Sequence, residues 1–289
     1  MTTSITLGAA TQQNLLSLQQ INQNMGTTQN RLATGLAVSS AVDDAVLFFQ
    51  AQSLSNRAND LTTRKSAMDQ GVSSLTTATQ GVQAEISILQ QIQGVLQSAK
   101  TQNATQRKAS QTQVQTLAQQ LNNLVGDTTY QGLNLVNSTK SKLALQFSDS
   151  TKSTLSVNGF NMLVSKLVTG TGVGASYFAS AAVGNLKFTA AGSLGVSIFD
   201  KAYNAIATAI AKAQANAQSL GANVSLLQTR IDFTAQYTVT LNGGASKLTV
   251  ADVNQESTNL VTLQTRQALS IQSLSIATSS EQAVLRLFH

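Results

Sequence analysis

Apolar residues recur along this chain at helical spacing, in blocks separated by short interruptions. Between residues 11 and 35 they fall at Leu18, Ile21, Met25 and Leu32, with Thr28 inside the same 3–4 spacing. One narrow stripe of this kind does not hold a helix alone in water, so the segment is predicted to become helical when packed. A stronger pattern follows. Leu47, Leu54, Leu61, Met68, Leu75, Val82, Leu89 and Leu96 stand seven apart, with Ala51, Ala58, Lys65, Val72, Thr79, Ile86 and Gln93 as companions. This is a sustained heptad. At about 1.5 Å per residue it predicts a rod roughly 75 Å long, suited to packing beside other rods. Val114, Leu117, Leu121 and Leu124 mark a third helix ending near Gly126–Asp127. "TTYQGLNLV" then reads as a turn entering an extended segment.

The texture changes between residues 138 and 198. Gly159, Gly170, Gly172, Gly174, Gly184, Gly192 and Gly195 appear among frequent Thr, Val and Phe, which favours short strands and loops. Helical spacing returns with Ile206, Ile210, Ala213, Ala217, Leu220, Val224, Leu227, Ile231 and Thr234, and "LNGGASKLTVADV" is predicted to interrupt it. A final stripe runs through Leu260, Leu263, Gln267, Ile271, Leu274, Ala277, Glu281, Val284 and Phe288. The order is bland helix, long rod, glycine-rich middle, rod, bland helix. It predicts a mainly α fold: a long antiparallel coiled coil or helical bundle built from both chain ends, with a small β-rich or irregular central insertion.

Composition sharpens this picture. Only 10% of the 289 residues are charged, against about 25% in ordinary globular domains, while 42% are hydrophobic and 4% aromatic. Gln, Asn, Ser and Thr take the place of the missing charge, giving a polar surface that is cheap to desolvate. Such a surface is expected to be buried against partners. The chain contains no Pro, Cys or Trp. Without Cys there is no disulfide framework or thiolate metal site, and without Pro nothing stops long helices. The net charge is +6, but the basic residues are dispersed, with Arg64–Lys65 and Arg107–Lys108 the only adjacent pairs. Nucleic-acid binding needs a concentrated basic face, so no nucleic-acid partner is expected. No run reaches the roughly 18 apolar residues of a membrane span. The start "MTTSITLGAATQQ" lacks the features of a cleavable signal peptide, so export is expected to take another route.

"SSAVDDAVLFF", 39–49, places two adjacent acids at the head of the long rod. Ser40-x-x-Asp43 fits a capping box with Ser40 as N-cap, and Asp44 lies in the same first turn. Both acids suit the partial positive charge of a helix start. An acid pair for hydrolysis needs an opposing cleft, and a metal needs further ligands. Neither has a basis here. The single histidine, His289, is terminal and a poor general base. "GTGVG", 170–174, lacks the Lys-Ser/Thr of a phosphate loop. No enzyme, cofactor or metal is expected. Asn103, Asn137 and Asn223 match the glycosylation sequon, a frequent coincidence in so Asn/Ser/Thr-rich a chain.

"TQNRLATGLAVSSAVDDA", 28–45, resembles the N-terminal signature of bacterial flagellin, in which R-L-S-S-G is followed by a short turn and S-A-x-D-D-A. Arg31, Leu32, Thr34, Gly35, Ser40, Ala41, Asp43, Asp44 and Ala45 fit it. "DVNQESTNLVTLQTRQALSIQSLSIATSSEQAVLRLF", 252–288, is similar to the other end of that family. The resemblance implies an inner-core helix over 1–43, rod segments over 44–137 and 202–251, a variable outward-facing region over 138–201, and a second inner-core helix over 252–289. It implies a self-assembling filament subunit, extracellular and serving motility, with the helical stripes as its assembly residues. Other implied partners are the flagellar type III export apparatus, an export chaperone, and the filament cap and junction proteins. The junction protein between hook and filament shares both ends, but "SSAVDDA" and "VLRLF" favour the filament. A secreted membrane-active helical protein is the more distant alternative. Flagellins seen by the innate immune receptor carry a segment like L-Q-R-x-R-E-L. Here "LQQIQGV", 89–95, has Gln91, Gln93 and Gly94 in place of its charges, so weak or absent recognition is expected.

Overall fold

The computed structural model describes residues 9–164 and 193–287, setting aside the side chains of residues 10, 193–198, 281 and 284–287. "GTGVG", residues 165–192 of the predicted insertion, Phe288, His289 and the side chain of Val284 lie outside the described residues. The elements are α1 (Ala9–Thr34), α2 (Ala45–Ala99), α3 (Ala104–Asp127), β1 (Lys142–Gln146), β2 (Thr154–Asn158), α4 (Ser193–Thr249) and α5 (Val253–Leu287). They form two compact units. Unit 1 comprises Met1–Asn59 with Val239–His289, and unit 2 comprises Asp60–Thr238. The unit borders fall inside α2 and α4, away from the helix ends at which the sequence suggested segment limits.

Unit 1 is organised by α1 and α5, which pack together. The amide of Asn14 donates to Ser273 Oγ at 3.4 Å, Gln267 donates to Asn22 Oδ1 at 2.7 Å, and Arg31 pairs with Glu256 at 3.1 Å. Partner numbers fall on one helix in step as they rise on the other, so the pair is antiparallel without slippage. Leu18, Met25, Leu32, Leu260, Leu263 and Leu274 are half-buried along this pair, and Ile21 and Thr28 of the predicted α1 stripe are buried.

Unit 2 holds the larger core. Met68, Leu75, Val82, Leu89 and Leu96 are fully enclosed. They pack with Val114, Ala118, Leu121 and Val125 of α3 and with Phe199, Ile206, Ala209, Ala213, Leu220 and Leu227 of α4. A second buried register on α2 runs Gly71, Ala78, Glu85, Ile92 and Ala99. Small residues here admit close neighbours. A Cβ at Gly71 would fall on Leu145 Cδ1, and one at Gly81 on the Thr128 side chain.

α3 opens with a capping box. Asn103 Oδ1 accepts from Gln106 N–H at 2.9 Å, and Gln106 Oε1 accepts from Asn103 N–H at 3.2 Å. That role occupies the Asn103 sequon. At the other end, "TYQGL" turns as predicted. Tyr130 and Leu133 exchange backbone hydrogen bonds of 3.0 Å each way across Gln131 (φ 49) and Gly132 (φ 80). Positive φ at both central residues is the requirement of a type I′ turn. β1 and β2 pair antiparallel from Lys142↔Asn158 to Gln146↔Thr154, with Leu145 and Val157 turned into the core.

One sequence expectation is corrected. The interruption predicted across "LNGGASKLTVADV" is confined to its end: α4 continues through Gly243 and Gly244 to Thr249, and the break is Val250–Asp252. Leu241 and Ala245 keep the buried stripe in register. Their packing offsets the roughly 1 kcal/mol that each helical glycine costs. At Gly244 the missing side chain leaves Leu54 Cδ1 only 3.5 Å from where a Cβ would stand.

Candidate assembly surfaces

The adjacent acids have separate structural jobs. Asp43 Oδ2 accepts from the backbone N–H and the hydroxyl of both Ser39 and Ser40, at 2.9–3.1 Å. The Ser39 hydroxyl, followed by the other three donors, holds the Asp43 carboxyl below the usual carboxylate range. Asp44 is the N-cap of α2: its Oδ1 accepts from Leu47 N–H at 3.0 Å, while its carbonyl takes Phe48 N–H at 3.0 Å. This corrects the sequence assignment of Ser40 as N-cap and Asp43 as third helical residue. Asp43 is too short to reach back along a helix turn but long enough to close a tight loop over two serines. α5 starts in the same manner as α2. Asp252 Oδ1 accepts from Asn254 N–H at 2.9 Å and Gln255 N–H at 3.3 Å.

The two interhelical links of unit 1 grip each other. Gly35, at φ +70, terminates α1. Ala37 N–H and Val38 N–H both donate to Thr249 O, at 2.7 and 3.2 Å, and Ala251 N–H donates to Gly35 O at 2.9 Å. Leu36 and Val250 form an antiparallel bridge. The break between α1 and α2 therefore sits beside the break between α4 and α5. Arg31 and Glu256 brace it, with the Glu256 side chain only 10% exposed.

The surface of unit 1 is unusually apolar. Leu15, Leu16, Val42, Val46, Phe49, Val239, Val250, Val253, Val261, Leu269, Ile271 and Ile276 are exposed. Among the described residues, all exposed large hydrophobics except Leu226 and Phe233 belong to unit 1. On α5, Val261, Leu269 and Ile276 cluster on the side away from Leu260, Leu263 and Leu274. The hydroxyls of Thr258, Thr262, Thr265 and Thr278 donate to carbonyls one turn back, at 2.9–3.0 Å. Those donors are satisfied within the helix, so covering this face leaves few polar groups stranded. A shallow groove of about 360 Å³ runs between α1 and α5, bordered by Gln20, Ile21, Leu263 and Leu269.

The predicted stripes divide between two fates. Leu61, Met68, Leu75, Val82, Leu89, Leu96, Ile206, Ile210, Leu220 and Leu227 are buried in the chain's own core. Intramolecular partners on α3 and α4 satisfy them with no association cost. Leu47 and Leu54 are half-buried in unit 1, and Ile271 is 53% exposed. Sequence reasoning passed over Glu85, which is fully buried, although it is the only charge between Asp69 and Lys100. That isolation inside a heptad was the available signal. No group of His, Cys, Asp or Glu suited to a metal ion occurs among the described residues, and no described helix is long and apolar enough to cross a membrane.

Comparison with known proteins agrees with this architecture. Residues 5–141 match the bacterial flagellin N-terminal helical region, and residues 203–288 match the bacterial flagellin C-terminal helical region. A flagellin of Brucella melitensis is 28% identical over 277 residues, covering 95% of each chain. Flagellin C of Rhizobium meliloti is 27% identical over 326 residues, covering 99% of each. The crystal structure of Bacillus cereus flagellin aligns with 57% of this chain and 86% of its own at a TM-score of 0.44 and 18% identity.

Proposed function

The chain belongs to the bacterial flagellin family, and from that premise we infer how its subunits join. It is a structural subunit of the extracellular flagellar filament, polymerises with copies of itself, and is not an enzyme. Unit 1 supplies the principal seam between copies. The observation that carries this is the concentration of exposed apolar side chains on unit 1, three of which, Leu269, Ile271 and Ile276, lie in the charge-free stretch from Gln267 to Ser280. A helix pair with so little enclosed core is marginal alone, and copies packed against Val261, Leu269, Ile271 and Ile276 complete it. The buried heptad contributes by stiffening unit 2, and small register shifts between neighbouring subunits change filament curvature. The export apparatus, an export chaperone, and the cap and junction proteins are the further partners.

Seeded polymerisation followed by electron microscopy tests the reading. Purified subunit elongates seeds into long tubes. Ile271→Asp keeps wild-type helicity by circular dichroism yet fails to elongate, because its new charge would be desolvated without a partner. Elongation of that variant at the wild-type rate would remove α5 from the seam.

Recognition by the innate flagellin receptor is weak or absent in this reading. Gln91 and Gly94 are exposed and Gln93 half-exposed, so that face offers no ionic donors or acceptors. Each lost charge-assisted hydrogen bond forgoes about 1.5–3 kcal/mol. Receptor-bearing cells are expected to need far higher doses than for a flagellin with the charged segment, and a response at ordinary doses refutes the point.

A further inference from the structure

Glu85 is enclosed within unit 2 and occupies a costly position. Its relative exposure is 0% and neither carboxyl oxygen has a hydrogen-bond partner. It stands between Val82 and Leu89 in a cluster whose other members are apolar. Among the described residues none forms an ion pair with it. On α2 the nearest charges are Asp69 and Lys100, each more than about 20 Å away at 1.5 Å per residue. Val114–Val125 of α3 contains none. At the near end of α3, Arg107 is occupied by the carbonyls of Ala99 and Lys100 and by the Phe199 ring. On α4, Asp200 pairs with Lys100, Tyr203 lies under Lys100, and Lys201 and Lys212 are exposed. Tyr130, on the segment after α3, donates to Gln70 at 2.6 Å.

A carboxylate cannot be left bare in such surroundings, so the folded chain keeps the proton. We propose that Glu85 is a proton-held weak point that makes unit 2 progressively easier to unfold as the pH rises from mildly acidic to neutral. It deepens the reading of the chain as an exported filament subunit, because passage through a narrow channel requires a subunit that opens readily.

The direction follows from linkage. Burial pushes the Glu85 carboxyl up from an ordinary 4.5 to about 8. Below the lower value folded and unfolded chains are both protonated, and stability is at its full level. Between the two values only the unfolded chain releases the proton, so the unfolding constant grows about tenfold per pH unit. Above the upper value both are ionised and the loss levels off.

All four tyrosines of the chain fall between residues 60 and 238, so tyrosine fluorescence reports unit 2 in the intact protein. Urea unfolding of wild type is compared with Glu85→Gln and Glu85→Met from pH 5 to 8. The ratio of wild-type to variant unfolding constants is expected to rise about tenfold per pH unit. A ratio independent of pH overturns the proposal, as does a Glu85 carboxyl that titrates near its ordinary value by carbon NMR in the folded wild type. The NMR arm stands even if a variant fails to fold. Seed elongation by the wild type is scored separately, so a failure of the filament reading is not confused with a failure of this one.

Discussion

Leu75→Asp is expected to leave unit 2 unfolded and to stop filament growth. Leu75 is fully enclosed at the middle of the α2 stripe, packed into the cluster shared by α2, α3 and α4. Removing a buried leucine costs about 2–5 kcal/mol, and stranding an unpaired charge costs about 3–5 kcal/mol more. The sum is comparable to the whole stability of an ordinary domain, about 5–15 kcal/mol. A proton could relieve part of the charge, as it does for Glu85, but an aspartate near neutral pH must then hold that proton several units above its habit. Circular dichroism of the variant should show lost helicity, and micrographs should show no tubes. Val42→Asp is the control for folding alone, since Val42 is 95% exposed, and is expected to keep wild-type helicity. Wild-type helicity and urea midpoint in Leu75→Asp would mean that this cluster does not hold unit 2 together.

Gly159→Val should detach the β-hairpin segment from the helices without disturbing unit 1. A Cβ at Gly159 would run into the carbonyl oxygen of Ser138 and lie 3.0 Å from that of Leu135. Both obstacles are backbone and cannot rotate away. Residues 135–141 and 159–162 are laced by Gly159 N–H to Ser141 O at 2.7 Å, and by Phe160 and Met162 N–H to Leu135 and Val136 O at 2.9 Å each. Prying them apart forfeits up to three hydrogen bonds of about 0.5–1.5 kcal/mol each, besides overpacking strain of about 1–3 kcal/mol. Hydrogen exchange over 135–162 should rise by orders of magnitude, with exchange in α1 and α5 unchanged. Gly26→Ala, where a Cβ meets nothing within 4 Å, should be neutral or stabilising. Unchanged exchange in the valine variant would show that the segment can shift to accommodate it.

The long helices were legible because their cause is periodic. A buried face recurring every seven residues writes itself into the chain, and α2 and α3 follow it closely. Single-residue geometry was not legible. Whether Ser40 or Asp44 caps α2 depends on where the chain leaves the clamp at Val38, and that is set by Thr249, more than two hundred residues away. The continuation of α4 through Gly243 and Gly244 was missed for a related reason. A glycine pair looks like a break until Leu241 and Ala245 are seen to stay buried on the same face. The heptad itself did not disclose its partner: the same Leu61–Leu96 pattern suits a neighbouring subunit or the chain's own α3 and α4. The exposed seam on α5 was nearly invisible as a pattern, because Val261, Leu269 and Ile276 interleave with residues facing α1.

The grip between Gly35–Val38 and Thr249–Ala251 has a consequence for biosynthesis. α1 leaves the ribosome before its clamp partner and its packing partner have been made. Until residue 253 and beyond have been made, the opening helix has nothing to pair with and its linker has no carbonyl to hold. Unit 1 therefore cannot close before its last helix has been made, and a nascent or prematurely ended chain carries an adhesive segment that some other surface has to shield.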